Sequence, residues 1–271
     1  ILSLSAVLSL ILSPSRLSRI IGRSPKLRIL KIGLPGMLIM VTHALLAISP
    51  GCVPWSESSA SCQPFEEAQA DALKYLKANM FPFDAPNKAT LFDDGIAVPT
   101  AQLALTARQK FGWASKVPKA VWQDAVLPYA VVNEARTDWR QLIWEKLSPI
   151  LANTSNASSL ADVFYLVNNK VWTTLGSFSG QSSIVFRSEQ TPLIYDPMST
   201  MAYGYASCTG ISLLLIDALR TVGVPARLVG TPAWHGVVKD GNHNWVEVWL
   251  GPGAGKANAG DDYWSFIEGE L

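Results

Sequence analysis

The sixteen residues from 208 to 223, CTGISLLLIDALRTVG, constrain the fold more than any other part of the sequence. Apolar side chains recur there at the i, i+3, i+4 and i+7 spacing that gives a helix one buried face. These residues are Ile211, Leu214, Leu215, Ala218, Leu219 and Val222. Gly223 suits the position just after a helix, and Pro225 prevents the helix from continuing. The run therefore predicts a buried helix that begins at Cys208.

Three short strands are predicted after that helix. Residues 226–230 are strand-like, residues 244–250 alternate strictly, and residues 263–267 follow a loop rich in Gly, Ala and Asn. The alternating strand carries Val246, Val248 and Leu250 on one face and Trp245, Glu247 and Trp249 on the other. We expect the last two strands to pair as an antiparallel hairpin. The sequence thus predicts an α+β fold in which a helix bearing a cysteine packs on a sheet bearing His243.

The chain before this core is mostly helical by its apolar spacing. The predicted helices cover residues 65–80, 101–111, 121–131, 139–147 and 161–175. Five tryptophans in these helical contexts are expected in the core, namely Trp113, Trp122, Trp139, Trp144 and Trp172. A polar run at 153–159, with glycosylation sequons at Asn153 and Asn156, predicts an exposed boundary loop. We therefore expect a targeting segment at 1–60, a helical region at 61–152 and the core at 153–271.

The first 60 residues differ in character from the rest of the chain. No acidic residue precedes Glu57, whereas six basic residues lie before position 32, and an apolar stretch covers 37–48. A basic region followed by a short apolar stretch and small residues is typical of a signal peptide, and a spanning helix needs about 20 apolar residues. We expect a secretory, extracytoplasmic route, with membrane association through this segment only. Organelle import by a transit peptide is the alternative.

The charge balance bears on the class of binding partner, and the cysteines bear on disulfide bonding and metal binding. The 22 basic and 21 acidic residues nearly cancel, so no nucleic-acid partner is expected. In an oxidising compartment Cys52 and Cys62 could pair with each other, which would leave Cys208, the last of the three cysteines, alone. No CxxC, HExxH or EF-hand spacing appears in the sequence, so neither a metal ion nor another cofactor is expected.

Cys208 and His243 are the candidates for nucleophilic chemistry. The amino-terminal end of a helix favours a thiolate, and a nearby imidazole can both help to ionise it and protonate a leaving amine. The other histidines are His43, in the targeting segment, and His235, in a loop where a solvated or groove-lining role is expected. The 35 residues from Cys208 to His243 match neither the papain nor the caspase arrangement.

A third residue is needed to orient the imidazole. Glu247 lies on the strand of His243, but four residues place it about 13 Å away. Glu268 and Glu270 share a parity in the predicted hairpin, so both are expected on the face of His243, and a register shift of two residues decides between them. Trp245 and Trp249, predicted on that same face, are candidates for lining a substrate groove.

The sequence from 204 to 269 resembles the transglutaminase-like superfamily. The resemblance rests on a cysteine at a helix start followed by ALRTVGVPAR, on the strand motif HNWVEV and on the final strand that begins at Trp264. Together with VLPYAVVNEARTDWR and RSEQTPLIYDPMSTM, it extends over about 65–271 and points to a microbial-type branch whose members are mostly uncharacterised. It implies a papain-like α+β fold in which a cysteine-bearing helix packs on an antiparallel sheet.

The resemblance also implies roles for individual residues. Cys208 would be the nucleophile, His243 the acid/base and Glu268 the orienting residue, where superfamily members usually have Asp, so that Glu270 stays an alternative. The implied function is cysteine-dependent acyl transfer on amide bonds of peptides or proteins, through a thioester, with hydrolysis or transamidation as the outcome. Because the third residue departs from the usual Asp, a catalytically impaired domain that serves as a binding or scaffold module is the alternative. The sequence indicates no oligomeric state.

Overall fold

A helix that begins at Cys208 is the element on which most of the structure packs. The computed structural model of the chain describes residues 51–55, 62–93, 95–156, 158–189, 195–251, 264–267 and 269. All of them belong to one compact unit, Ala47–Leu271. Of the predicted targeting segment at 1–60, residues 1–50 and 56–60 lie outside the described residues. Within the described ranges, no helix is both long and apolar enough to cross a bilayer.

The described residues form nine α-helices and seven strands. The helices are α1 (Phe65–Ala78), α2 (Lys88–Phe92), α3 (Ala97–Lys110), α4 (Gly112–Ser115), α5 (Lys119–Ala125), α6 (Trp139–Leu151), α7 (Leu160–Gly176), α8 (Pro197–Tyr203) and α9 (Cys208–Thr221). The strands are β1 (Cys52–Pro54), β2 (Cys62–Pro64), β3 (Val185–Phe186), β4 (Tyr205–Ala206), β5 (Ala226–Thr231), β6 (His243–Trp249) and β7 (Trp264–Ile267). Short 3₁₀ turns occupy Pro82–Asn87, Ser177–Ser179, Trp234–Gly236 and Val238–Asp240.

The strands form three small sheets. β1 and β2 are antiparallel, β3 and β4 are parallel, and β5, β6 and β7 form an antiparallel sheet in that order. The predicted hairpin is confirmed, with Val246 opposite Ile267 and Trp249 opposite Trp264. Together with the helices, these antiparallel strands confirm the predicted α+β class.

Helix α9 is buried on all sides. Every residue from 210 to 221 is buried, because α6, α7, α8, β5 and β6 all pack against it. Val246 and Val248 of β6, both fully buried, form the sheet side of this contact. The apolar stripe predicted from the sequence thus faces a real core. The five tryptophans expected in that core are confirmed there, each at most 4% exposed.

The helical region holds the carboxyl-terminal end of α9. The indole nitrogen of Trp113 donates to the carbonyl of Val222 (2.9 Å), and Arg140 Nη1 donates to the carbonyl of Arg220 (2.9 Å). The last carbonyls of a helix have no partner within the helix, so these two donors replace the missing hydrogen bonds. Gly223 follows with φ of +81°, the left-handed conformation expected for the residue after a helix.

One predicted helix is shorter than expected. The spacing predicted a helix over 121–131, but α5 ends at Ala125. The carboxylate of Glu134 accepts hydrogen bonds from the backbone N–H groups of Val131 and Val132, at 2.6 and 2.8 Å, which stabilises a non-helical turn. Pro128, which lacks an N–H group, also opposes a helix there.

A disulfide hairpin precedes α1. Cys52 and Cys62 form the disulfide that the sequence offered as a pairing, and it joins β1 to β2. Between them Val53 is fully buried, and the fully buried Arg108 of α3 donates from Nε to the carbonyl of Pro54 (2.6 Å). The hairpin is therefore anchored to the helical region by both packing and hydrogen bonding.

Candidate active site

Cys208 is the first residue of α9 and the free cysteine of the chain. The parallel pair of β3 and β4 leads into it, with Phe186 opposite Ala206. Ser207 precedes it in an extended conformation, and its side chain makes no capping hydrogen bond. Ser159 at the start of α7, by contrast, forms a complete capping box with Asp162. The helix that carries the cysteine thus begins without a side-chain cap, and Cys208 is half-buried.

His243 is the first residue of β6 and lies opposite Thr231 of β5. Its half-buried ring packs on the indole of Trp234, with 4.0 Å between the ring centroids, and the ring of Trp245 lies 6.3 Å away. Trp234 comes from the 3₁₀ turn between β5 and β6. The imidazole is therefore bordered by one indole from the loop and one from its own strand.

The residues that follow Cys208 and His243 are hydrogen-bonded to each other. The side-chain amide of Asn244 donates from Nδ2 to Oγ1 of Thr209 at 2.6 Å. One turn further along α9, the hydroxyl of Ser212 donates to the carbonyl of Asn244 at 3.3 Å. The structure thus brings the start of the cysteine helix against the start of the histidine strand.

An aromatic row continues from His243 along the outer face of the sheet. Trp234 and Trp245 are 6.0 Å apart by ring centroids, and Trp245 lies 5.7 Å from Phe266 of β7. Phe266 is 55% exposed and Trp245 is half-buried. Trp245 is thus the middle ring of this row, between Trp234 and Phe266.

Trp249 differs from the sequence expectation. Alternation predicted it on the same outer face as Trp245, but it is only 6% exposed and belongs to the core. Its backbone N–H binds the carbonyl of Pro225, and it pairs with Trp264 across the hairpin. We correct the prediction for Trp249, because a side chain with so little exposed surface cannot form the wall of a groove.

The candidates for the third residue, Glu268 and Glu270, both lie outside the described residues. Glu247, which the sequence placed too far away, binds Arg227 of β5 instead, through two hydrogen bonds of 2.6 and 2.8 Å. Gly269 is described and lies against α9. A Cβ atom there would come within 2.7 Å of Trp172 and 3.1 Å of Ile211, which is one turn after Cys208. Gly269 therefore lies close to the first turns of the cysteine helix.

His235 lies on the surface beside the site. Its side chain is 66% exposed, and Nδ1 is 3.4 Å from the carboxylate of Asp240 in the same loop. Its φ of +55° places it in the left-handed region, next to Gly236. Of the solvated or groove-lining roles expected from the sequence, the solvated one agrees with this exposure.

Two polar features of the Cys208 helix were not found from the sequence. The link between Thr209 and Asn244 is one. The other is Asp217, which is fully buried with neither carboxylate oxygen hydrogen-bonded, so burial raises its pKa well above the usual value despite the nearby Arg220.

A cavity of about 290 Å³ lies by Arg220, at the far end of α9 from the cysteine. No group of three or more potential metal ligands occurs in the described part of the chain.

The comparisons with known proteins give one family match. Residues 152–265 match the family model of the transglutaminase-like superfamily. The matched segment contains the whole of α9, the strand of His243 and the beginning of β7. No curated protein and no solved structure matches the chain. The predicted resemblance is thus confirmed: residues 152–265 are similar to the transglutaminase-like superfamily.

Proposed function

We propose that this domain catalyses cysteine-dependent acyl transfer on amide bonds of peptides or proteins, with Cys208 as nucleophile and His243 as acid/base. One observation carries the proposal. Cys208 opens a helix whose first turn is hydrogen-bonded, through Thr209, to the residue after His243. Superfamily domains of this kind commonly have cysteine-dependent activity, and the matched segment contains both residues.

The start of α9 suits a negatively charged sulfur. The first N–H groups of a helix have no partner within it, and the helix dipole places partial positive charge at that end. Because the Ser207 side chain does not cap the helix, it does not compete for those groups. The same N–H groups would stabilise the oxyanion that forms when the thiolate attacks a carbonyl, and one such donor can lower a barrier by about 3–4 kcal/mol.

The imidazole of His243 would transfer the proton in both halves of the reaction. It accepts the thiol proton from Cys208, and the thiolate adds to the amide carbonyl. When the tetrahedral intermediate collapses, the C–N bond breaks and the imidazolium gives its proton to the departing amine, which leaves a thioester on Cys208. Water or a second amine then attacks the thioester while His243 accepts its proton, and the thiol is restored as product leaves.

We propose that either Glu268 or Glu270 supplies the carboxylate that orients the imidazole of His243. The family motif points to Glu268, which is four residues after Trp264. The described pairs across β6 and β7, such as Val246 with Ile267, have residue numbers that sum to 513. Continued beyond Ile267, this register would pair position 243 with 270, which keeps Glu270 as the alternative. We expect only one of the variants Glu268→Gln and Glu270→Gln to lower the reactivity of Cys208 as a His243 substitution does.

The substrate side of the proposal rests on the aromatic row. Indole and phenyl faces bury the apolar parts of a peptide well. Trp234 and Trp245 flank His243, and Phe266 extends the row beyond Trp245. We propose that the acyl donor lies across these rings. Choice between water and an amine as acceptor depends on how well the bound donor excludes water.

We also propose that the domain functions in an oxidising compartment. The Cys52–Cys62 disulfide supports this, since such bonds persist in secreted proteins and are rare in the cytosol. The basic and apolar amino-terminal segment is consistent with a secretory route. Recovery of the chain from the extracellular or luminal fraction of its own cells, with the disulfide intact, would support the proposal; recovery from the cytosol in the reduced form would contradict it.

The test of the catalytic proposal is the alkylation of Cys208 as a function of pH. Intact, unreduced protein is treated briefly with iodoacetamide between pH 5 and 9, and mass spectrometry follows the added mass. The disulfide protects the other two cysteines, so the signal reports Cys208, and Cys208→Ala supplies the blank. His243→Ala is compared with His235→Ala, a matched control that removes an exposed histidine eight residues upstream.

We expect Cys208 to react rapidly well below pH 8 in the wild type and in His235→Ala. In His243→Ala the rate at pH 6 should fall by about tenfold or more, since a free thiol with an ordinary pKa near 8.5 is mostly protonated there. A thiol that reacts slowly at low pH in all three proteins would overturn the enzymatic proposal and leave a binding or scaffold module. A positive result justifies assays with glutamine-containing and other peptides, with and without an added amine.

A further inference from the structure

We propose that Asn244 is a positioning residue, which holds His243 in register with Cys208 by binding the first turn of the cysteine helix. The inference rests on the proposed function, because it concerns the geometry of the same two groups. In this role Asn244 acts through the position of His243.

Asn244 is bound from two successive turns of α9. Its side-chain Nδ2 donates to Thr209 Oγ1 at 2.6 Å, and its backbone carbonyl accepts from the hydroxyl of Ser212 at 3.3 Å. Thr209 directly follows Cys208, and Asn244 directly follows His243. The side-chain bond therefore joins the two candidate catalytic residues through one backbone step on each side.

The neighbouring strand leaves room for the Asn244 amide. Gly230 of β5 lies opposite Asn244, and a Cβ atom at position 230 would come within 2.4 Å of Asn244 Oδ1 and 3.1 Å of the His243 carbonyl. A larger residue at 230 would displace the amide, because real Cβ contacts are essentially never that short. The absence of a side chain at 230 thus lets the amide oxygen lie over β5 while its nitrogen reaches α9.

His243 is in a position that needs such support. It is the terminal residue of β6, and it follows two 3₁₀ turns and Gly241, whose φ is +79°. The end of a strand frays more easily than its middle, and loops move more than the elements they join. A hydrogen bond from the second residue of the strand to a fully packed helix counters this. Because a misplacement of about 1 Å can reduce a rate by about a hundredfold, the bond bears directly on the proposed chemistry.

The test breaks the same hydrogen bond from either end. Thr209→Val and Asn244→Ala each remove one partner, the double variant removes both, and Thr209→Ser keeps the hydroxyl. Thr221→Val is the matched control, since it removes a buried threonine hydroxyl from the far end of the same helix. Thermal unfolding verifies that each variant is folded, and the pH profile of Cys208 alkylation is the readout, with wild type and His243→Ala as the limits.

We expect Thr209→Val and Asn244→Ala to lower the alkylation rate of Cys208 at pH 6 severalfold, up to but not beyond the loss in His243→Ala, which is about tenfold or more. The double variant should lose no more than the more affected single one, because the two residues act through one bond. Thr209→Ser and Thr221→Val should keep the wild-type profile. Where Asn244→Ala does not fold, Thr209→Val alone decides, with Thr209→Ser as its rescue.

Failure of the inference is distinct from failure of the proposed function. If the wild-type profile does not depend on His243, the catalytic proposal is wrong and Asn244 has no reaction to support. If the wild type does depend on His243 while the folded Thr209→Val and Asn244→Ala variants keep its profile, the catalytic proposal holds and the positioning role is refuted. Loss in Asn244→Ala without loss in Thr209→Val also refutes it, because the hydrogen bond is then not what acts.

Discussion

Removing the Cys52–Cys62 disulfide should weaken the fold without changing the chemistry of Cys208. The perturbation is the double substitution Cys52→Ala with Cys62→Ala, which leaves Cys208 as the only thiol and creates no new one. Both cysteines are exposed, so their replacement leaves no cavity in the core. The effect on stability is therefore expected to come almost entirely from the chain that the bond closes.

The size of the effect follows from the length of that chain. The bond joins residues ten apart, and the chain-entropy relation for such a loop gives about 2.7 kcal/mol at 25 °C. Domains of this kind are stable by about 5–15 kcal/mol, so this is a substantial share. Val53 and the Arg108–Pro54 hydrogen bond hold the hairpin in the folded state whether or not the sulfurs are joined.

Urea unfolding of wild type and double variant, followed by tryptophan fluorescence, measures the difference. We expect the midpoint to fall, with a free-energy loss of about 2.7 kcal/mol, and the pH profile of Cys208 alkylation to stay unchanged. Reduction of the wild type should reproduce the stability loss. A loss below about 0.5 kcal/mol would refute the reasoning about chain closure, and an altered alkylation profile would refute the separation of the hairpin from the active site.

Two further predictions concern buried charges. Arg108→Met should lower the free energy of unfolding, measured in urea, by about 3–5 kcal/mol, because the buried guanidinium donates to four backbone carbonyls. Arg227→Met, the control at an exposed ion pair, should lower it by at most about 1 kcal/mol, and equal losses in the two variants would contradict the prediction. Burial raises the pKa of Asp217, so the folded wild type holds a proton there that the unfolded chain releases above about pH 3.9, and stability falls as the pH rises from that value towards the raised pKa. Asp217→Asn should remove this contribution to the decline in the free energy of unfolding between pH 4 and 8. An unchanged slope of that free energy against pH would contradict the prediction.

The cysteine helix and the hairpin were predictable because their signals are local. The apolar stripe and the Gly223–Pro225 stop predicted a helix from Cys208, and α9 does begin there. Strict alternation predicted β6 and its antiparallel partner, which the structure confirms. In both cases the periodicity of a few consecutive residues contains the needed information. Apolar spacing failed at 126–131, where the Glu134 carboxylate binds backbone N–H groups that a helix would have used.

The polar contacts of the candidate site depend on distant parts of the chain. Thr209 and Asn244 are 35 residues apart, and each reads in sequence as an ordinary polar residue. Their hydrogen bond forms only because the first turn of α9 packs against the start of β6. Local periodicity does not encode this tertiary contact. The burial of Trp249 likewise depends on distant residues. Alternation assigns a side chain to one face of the sheet but does not show which elements cover that face. Asp217 is a further case, because nothing in its local sequence announces a carboxylate without hydrogen-bond partners.

The complete burial of α9 also limits how this site can diversify. Because the whole helix beyond its first turn is packed, a substitution there must be accommodated by several neighbouring elements at once. The loop between β5 and β6 is under no such restriction, for it is largely exposed and turns at His235, Gly236 and Gly241 through left-handed or glycine-only conformations. Related proteins can therefore vary the residues and length of this loop, and with them the rings beside His243, while they retain the same nucleophile helix.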